Sequence, residues 1–138
     1  MAKQIRQIIE EYYETIWNEQ KLDQAHHFLH SAITFRGSLG MRVEGINGFN
    51  DYAKMLFSAF SNLYHVIEDV VVEGDKAAVR LVYSGMHTGK LFGFDPTGNR
   101  IRYSGACFFK FEDDKIVDAW VLGDLNALYG QLNVADHH

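Results

Sequence analysis

Residues 100–112 read Arg100-Ile101-Arg102-Tyr103-Ser104-Gly105-Ala106-Cys107-Phe108-Phe109-Lys110-Phe111-Glu112. Successive side chains of a strand point to opposite faces. Ile101, Tyr103, Cys107, Phe109 and Phe111 therefore share one side. Arg102, Ser104, Lys110 and Glu112 share the other with Ala106 and Phe108. A continuous apolar row beside a mixed row marks a long strand with one side on a core. Phe108 in the mixed row predicts that part of this second side is covered too, most simply by another copy of the chain.

The same period of two runs outward from this stretch. His65 to Glu73 and Lys76 to His87 alternate in the same way and are joined by Gly74-Asp75, a tight-hairpin signal. Asp95-Pro96-Thr97-Gly98 is a turn, and Asp113-Asp114 links the central stretch to Lys115–Leu122. Before Asn62 the period changes. Ile5, Ile8, Ile9, Tyr12, Tyr13 and Ile16 form one helical face, extended by Trp17, with Lys3, Arg6, Glu10, Glu11 and Glu14 opposite. A short helix is expected from about Asp23 to His30, then a strand from Ala32 to Phe35, broken by Gly37-Ser38-Leu39-Gly40. A longer helix runs from near Gly45 to about Phe60, and a short one closes the chain at Asp124 to Leu132. Helices followed by a meander of antiparallel strands are the order of an α+β fold. No repeat or linker interrupts it, so residues 1–138 read as a single domain.

Composition narrows the function. The chain is 47% hydrophobic, and its ten Phe, seven Tyr and two Trp suit both a core and the walls of a ligand cavity. The net charge is −5 with Lys and Arg scattered singly, so there is no basic stripe for a phosphate backbone and nucleic acid is not an expected partner. One cysteine, Cys107, allows neither an intrachain disulfide nor a thiolate metal site. No apolar run reaches membrane-spanning length, and the start of the chain lacks a signal-peptide pattern. A reducing compartment, the cytoplasm, is the expected location. His137 and His138 receive no role.

Several segments together resemble a known family. His87-Thr88-Gly89-Lys90-Leu91-Phe92-Gly93-Phe94-Asp95-Pro96-Thr97-Gly98 is similar to the H-x-G-x-L-x-G-x-x-P-T-G segment of SnoaL-like proteins, a branch of the NTF2-like superfamily. Ser104 to Phe111, Lys115-Ile116-Val117, Trp120 and Asp124 resemble that family's last hairpin and exit. Glu73 to Arg80 is similar to its central hairpin, and Tyr13 to Asn18 to its first helix. The resemblance implies a cone-shaped, curved antiparallel sheet whose N-terminal helices cover an apolar pocket, usually in a homodimer. It also implies cyclisation of a small hydrophobic carbonyl compound by acid/base catalysis without metal or organic cofactor. Asp124 matches the family's W-x-x-x-D pattern counted from Trp120. Val121 stands where some cyclases carry the acid, and Cys107 where a His or Asp is common.

Candidate site residues follow. Asp124 reads either as the acid/base, its pKa raised by an apolar cavity, or as the N-cap of the last helix. Arg36 reads as a loop cation or as a pocket residue that would hold the Asp124 carboxyl in its charged form. The two together would supply part of an epoxide hydrolase of the limonene-epoxide type. Tyr13, Trp17, Phe35, Phe60, His65, His87, Phe92, Tyr103, Cys107 and Trp120 are expected along the pocket, with plain core packing as the alternative. His26 and His30 lie four apart on the expected second helix, but no third ligand accompanies them, so no metal is expected. A non-catalytic small-molecule-binding module fits the same pattern, because a fold does not dictate a function.

Overall fold

The computed structural model describes residues 4–133; His137 and His138 lie outside them. The elements are α1 (Ile5–Tyr12), a π-helical segment (Tyr13–Asn18), a 3₁₀ turn (Leu22–His27), β1 (Leu29–Arg36), β2 (Arg42–Glu44), α2 (Gly45–Ala59), β3 (Phe60–Glu73), β4 (Lys76–His87), β5 (Arg100–Glu112), β6 (Lys115–Gly123) and α3 (Leu125–Asn133). The fold is α+β, with N-terminal helices packed on a six-stranded sheet of order β2-β1-β6-β5-β4-β3.

β3 to β6 form the expected antiparallel meander. The Asp113-Asp114 turn carries positive φ at both positions, 52° and 62°, as a type I′ hairpin requires. One pairing departs from the expectation of an antiparallel sheet: β1 runs parallel to β6. α2 and the meander intervene between them, a connection long enough to permit parallel pairing. Register shifts at Ser61/Tyr64 and Ile67/Asp69 in β3, and at Lys110/Phe111 in β5, bend the strands.

Burial follows the alternation in residues 100–112. Ile101, Tyr103, Cys107, Phe109 and Phe111 are all buried, while Phe108 faces outward. Gly105 belongs to the inner row, where the Tyr83 ring takes the space of its missing side chain; a Cβ there would lie 2.4 Å from that ring.

Three boundaries differ from the reading above. The second helix is a 3₁₀ turn ending at His27, so Leu29 and His30 belong to β1 and His30 does not share a helix face with His26. The His30 ring instead accepts the Ala32 N–H at 3.0 Å through Nδ1. β3 starts at Phe60, before the alternation becomes regular. β2 spans only Arg42–Glu44, too short for periodicity to reveal.

The first helix ends in an unusual way. Over Tyr13–Asn18 it widens to π-helix, which brings residues five apart above one another. The Trp17 indole N–H thereby donates to the Tyr12 hydroxyl at 2.9 Å. Asn18 then clamps the segment to β3: its Nδ2 donates to the His65 carbonyl at 3.1 Å and its Oδ1 accepts the His65 N–H at 2.7 Å.

Candidate functional site

A cavity lies between the helices and the inner face of the sheet. Tyr12, Tyr13 and Trp17 line it from the first helix and its π-helical end, and Tyr52 and Leu56 from α2. Phe35, His65, Tyr83 and Val121 come from four strands, and Ser38 from the loop after β1. Only about 20 Å³ is open to the centre of a water-sized sphere, room for about one water. Binding sites for drug-sized molecules span ~300–1,000 Å³. The aromatic walls must therefore move apart before anything larger is held.

Polar groups in these walls are hydroxyls, one imidazole and the Trp17 indole N–H. Burial raises the Tyr13 and Tyr83 hydroxyls well above the ordinary tyrosine value, and raises Tyr12 and Tyr52 as well. All four are protonated donors at neutral pH. Tyr52 reaches the Leu39 N–H at 3.4 Å, while Ser38 and Tyr103 hydroxyls lie 3.2 Å apart. His65 is buried, stacks on Trp17 at 4.9 Å and on Tyr13 at 5.8 Å, and meets the Tyr83 ring edge at 4.7 Å. Burial lowers its pKa to about 3, so it is neutral. Its Nδ1 has no hydrogen-bond partner, an arrangement that costs free energy in a dry site.

The structure brings some expected residues together and separates others. Tyr13, Trp17, Phe35 and His65 line the cavity. Tyr103 and Cys107 lie buried behind its walls, Tyr103 against Ser38 and Tyr83, and burial raises the Cys107 thiol. Phe60 and His87 are buried elsewhere, 5.8 Å apart. His87 Nδ1 accepts the Thr97 N–H at 3.2 Å and lies 3.0 Å from the Thr97 hydroxyl, tying the base of the long β4–β5 connection. Burial lowers its pKa too, against a hydrogen bond to Gly89 that raises it.

Four expectations are corrected. Phe92 sits in a turn at φ 51°, half-exposed and away from the cavity. Trp120 faces outward, because its neighbours Ala119 and Val121 take the inner positions of β6. Arg36 alternates with the inward Phe35; its guanidinium bonds the Val121 carbonyl and lies 4.9 Å over the Trp120 ring. Asp124 is exposed, and its carboxylate accepts the Ala127 N–H at 3.1 Å as the cap of α3. Asp124 and Arg36 do not line the cavity. Among the described residues, no group of three or more His, Cys, Asp or Glu could hold a metal.

Tyr12, Ser38, Tyr52 and Tyr83 are cavity residues that sequence reasoning passed over. Tyr52 lies on the apolar face of α2. Tyr83 had a usable signal: Gly105 interrupts an otherwise large-residue inner row, which leaves room for a neighbouring ring.

The sequence profile of SnoaL-like polyketide cyclases matches residues 7–132. The chain belongs to the SnoaL-like polyketide cyclase family. Solved structures repeat its architecture. A SnoaL-like protein from Jannaschia sp. CCS1 superposes with a TM-score of 0.87 at 22% identity, over 96% of this chain and 94% of that one. TsrD from Streptomyces laurentii gives 0.82 at 28% identity, over 93% of each chain. IdmH from Streptomyces antibioticus gives 0.83 at 21% identity, over 96% of this chain and all (100%) of the other. No protein of curated function matches. The cavity of this SnoaL-like protein is lined by four tyrosines, a histidine, a serine and apolar or aromatic side chains, without a carboxylate.

Proposed function

We propose that this SnoaL-like protein binds a flat, hydrophobic, carbonyl-bearing small molecule between its aromatic walls and acts on it without a cofactor, as a cyclase or isomerase. The observation that carries the reading is His65, a neutral ring with an unpartnered Nδ1 set among Tyr13, Trp17 and Tyr83. Tyrosine hydroxyls donate to the carbonyl oxygen, which acidifies the neighbouring C–H. The proton leaves that carbon for His65 and is returned to the oxygen of a second carbonyl as the ring closes, or to another carbon in an isomerisation. A ring with so low a pKa is a weak base, but the enolate formed beside it favours the imidazolium and lifts its basicity as the reaction proceeds. Epoxide hydrolysis is not proposed, since Arg36 sits on the Val121 carbonyl and Asp124 caps α3.

The test is hydrogen exchange at the carbon between the carbonyls of an aromatic 1,3-diketone, followed by NMR in D₂O. Wild type exchanges the probe faster than buffer does, and His65→Ala with a native circular dichroism spectrum loses the acceleration. A second reading, a binder without catalysis, is favoured by the internal pairing of Trp17 with Tyr12 and Ser38 with Tyr103. It gains if Trp17 fluorescence reports binding while exchange stays at the buffer rate.

A homodimer is part of the proposal. Phe108, Trp120 and Leu122 are 55%, 40% and 53% exposed and sit side by side on the outer face of β5 and β6. Such a cluster suits an isologous contact with a second copy.

A further inference from the structure

A second depression runs along the outside of the molecule, between the first helix and the free edge of β3. It encloses about 220 Å³ and is bordered by Glu10, Glu14 and Asn18 on one side and Tyr64, Val66 and Ile67 on the other. Tyr13 and His65 line both this groove and the internal cavity. Their stacked rings are thus the partition between the two. We propose that ligands reach the cavity through this groove, with the Tyr13 and His65 rings as the door, and that Glu10 and Glu14 at its rim admit neutral or cationic molecules in preference to carboxylates.

Three independent features support the assignment. The His65 ring packs against Tyr13, Trp17 and the edge of Tyr83, and its Nδ1 has no partner, so turning it toward the groove gives that nitrogen water without breaking a hydrogen bond at it. Its backbone does not have to move with it: Asn18 clamps the His65 N–H and carbonyl, so the door turns on a fixed hinge post. The other side of the door belongs to the π-helical segment, whose wider turn is a common mark of functional positions in helices. The rival way in, past the loop after β1, is closed by bonds that would have to break. Ser38 and Tyr103 pair through their hydroxyls, the Leu39 N–H bonds Tyr52, and Gly37 and Gly40 close the loop on itself. The groove border carries acidic and neutral residues with no Lys or Arg, so the local field opposes an anion.

The proposal rests on the cavity being the ligand site, but its test uses no ligand and is independent of any catalysis. The chain has two tryptophans, Trp17 and Trp120. In a Trp120→Phe background, collisional quenching of Trp17 reports access to the cavity. His65→Ala raises quenching by acrylamide severalfold, whereas Ser38→Ala and Tyr103→Phe, which free the opposite loop, leave it unchanged. Reversing the rim with Glu10→Lys and Glu14→Lys in the His65→Ala protein raises quenching by iodide about threefold and leaves acrylamide unaffected, because charge focusing acts only on the ion. Larger acrylamide quenching in the loop variants than in His65→Ala overturns the route. Iodide quenching that ignores the rim charges overturns the selectivity. Should His65→Ala fail to fold, the rim variants in the Trp120→Phe background decide the question by the same iodide comparison.

Discussion

Replacing His65 by Phe should remove a specific part of the protein's sensitivity to acid. Burial holds the His65 imidazole at a pKa of about 3 in the native state, against ~6.5 in an unfolded chain. Between those values the unfolded chain binds a proton at this site and the native protein does not. The contribution to stability is therefore complete above pH ~6.5 and is lost as pH falls toward 3, at about 1.4 kcal/mol per pH unit. From pH ~7.5 to ~5.0 only the portion below 6.5 counts, so this one ring removes about 2 kcal/mol. Other groups titrate over the same range, including His87, whose pKa is also lowered. They do so in both proteins, so the difference between wild type and His65→Phe isolates position 65. Phe keeps an aromatic surface against Trp17 and Tyr13. Urea unfolding at several pH values should show wild type losing about 2 kcal/mol relative to His65→Phe as the solution is acidified to pH ~5. Parallel pH profiles would refute the burial argument, since they would mean that the ring takes up its proton in the native state as readily as in the unfolded one.

Further outcomes are expected. Asp124→Ala should cost about 1 kcal/mol through loss of the α3 cap, visible as a lower urea midpoint, without changing ligand binding followed by Trp17 fluorescence. Gly105→Ala places a methyl group against the Tyr83 ring; calorimetry should record a loss of about 1–3 kcal/mol. The parent should sediment as the proposed dimer, and Phe108→Asp combined with Leu122→Asp as a folded monomer, in sedimentation velocity. Cys107 is buried with its thiol shifted upward, so it should resist iodoacetamide in the native protein and react once urea has unfolded it.

Periodicity carries the fold, because burial on one side of an element writes itself into local spacing. The β5 row is the clearest case: alternation alone separated Cys107 and Phe109 from the outward Phe108. The same logic placed Tyr13 and Trp17 on the inner face of the first helix. It also contained the answer for Trp120, expected along the pocket, whose parity opposes Ala119 and Val121. Where elements are short, as in β2, no period exists to be read.

What the local sequence determines about this protein is which side of each helix and strand seeks the interior, and hence an α+β architecture with an aromatic lining. Only the tertiary structure decided which polar groups meet inside. Asp124 was compatible with both a cavity and a helix cap, and the path of the chain after β6 settled it as a cap. His65 and Tyr13 come from elements far apart in the chain, and the π-helical widening with the Asn18 clamp brings their rings together. Which side an element buries is a property of neighbouring residues, whereas a site is a meeting of distant ones. Its geometry depends on register, bulges and helix pitch, which no local spacing encodes.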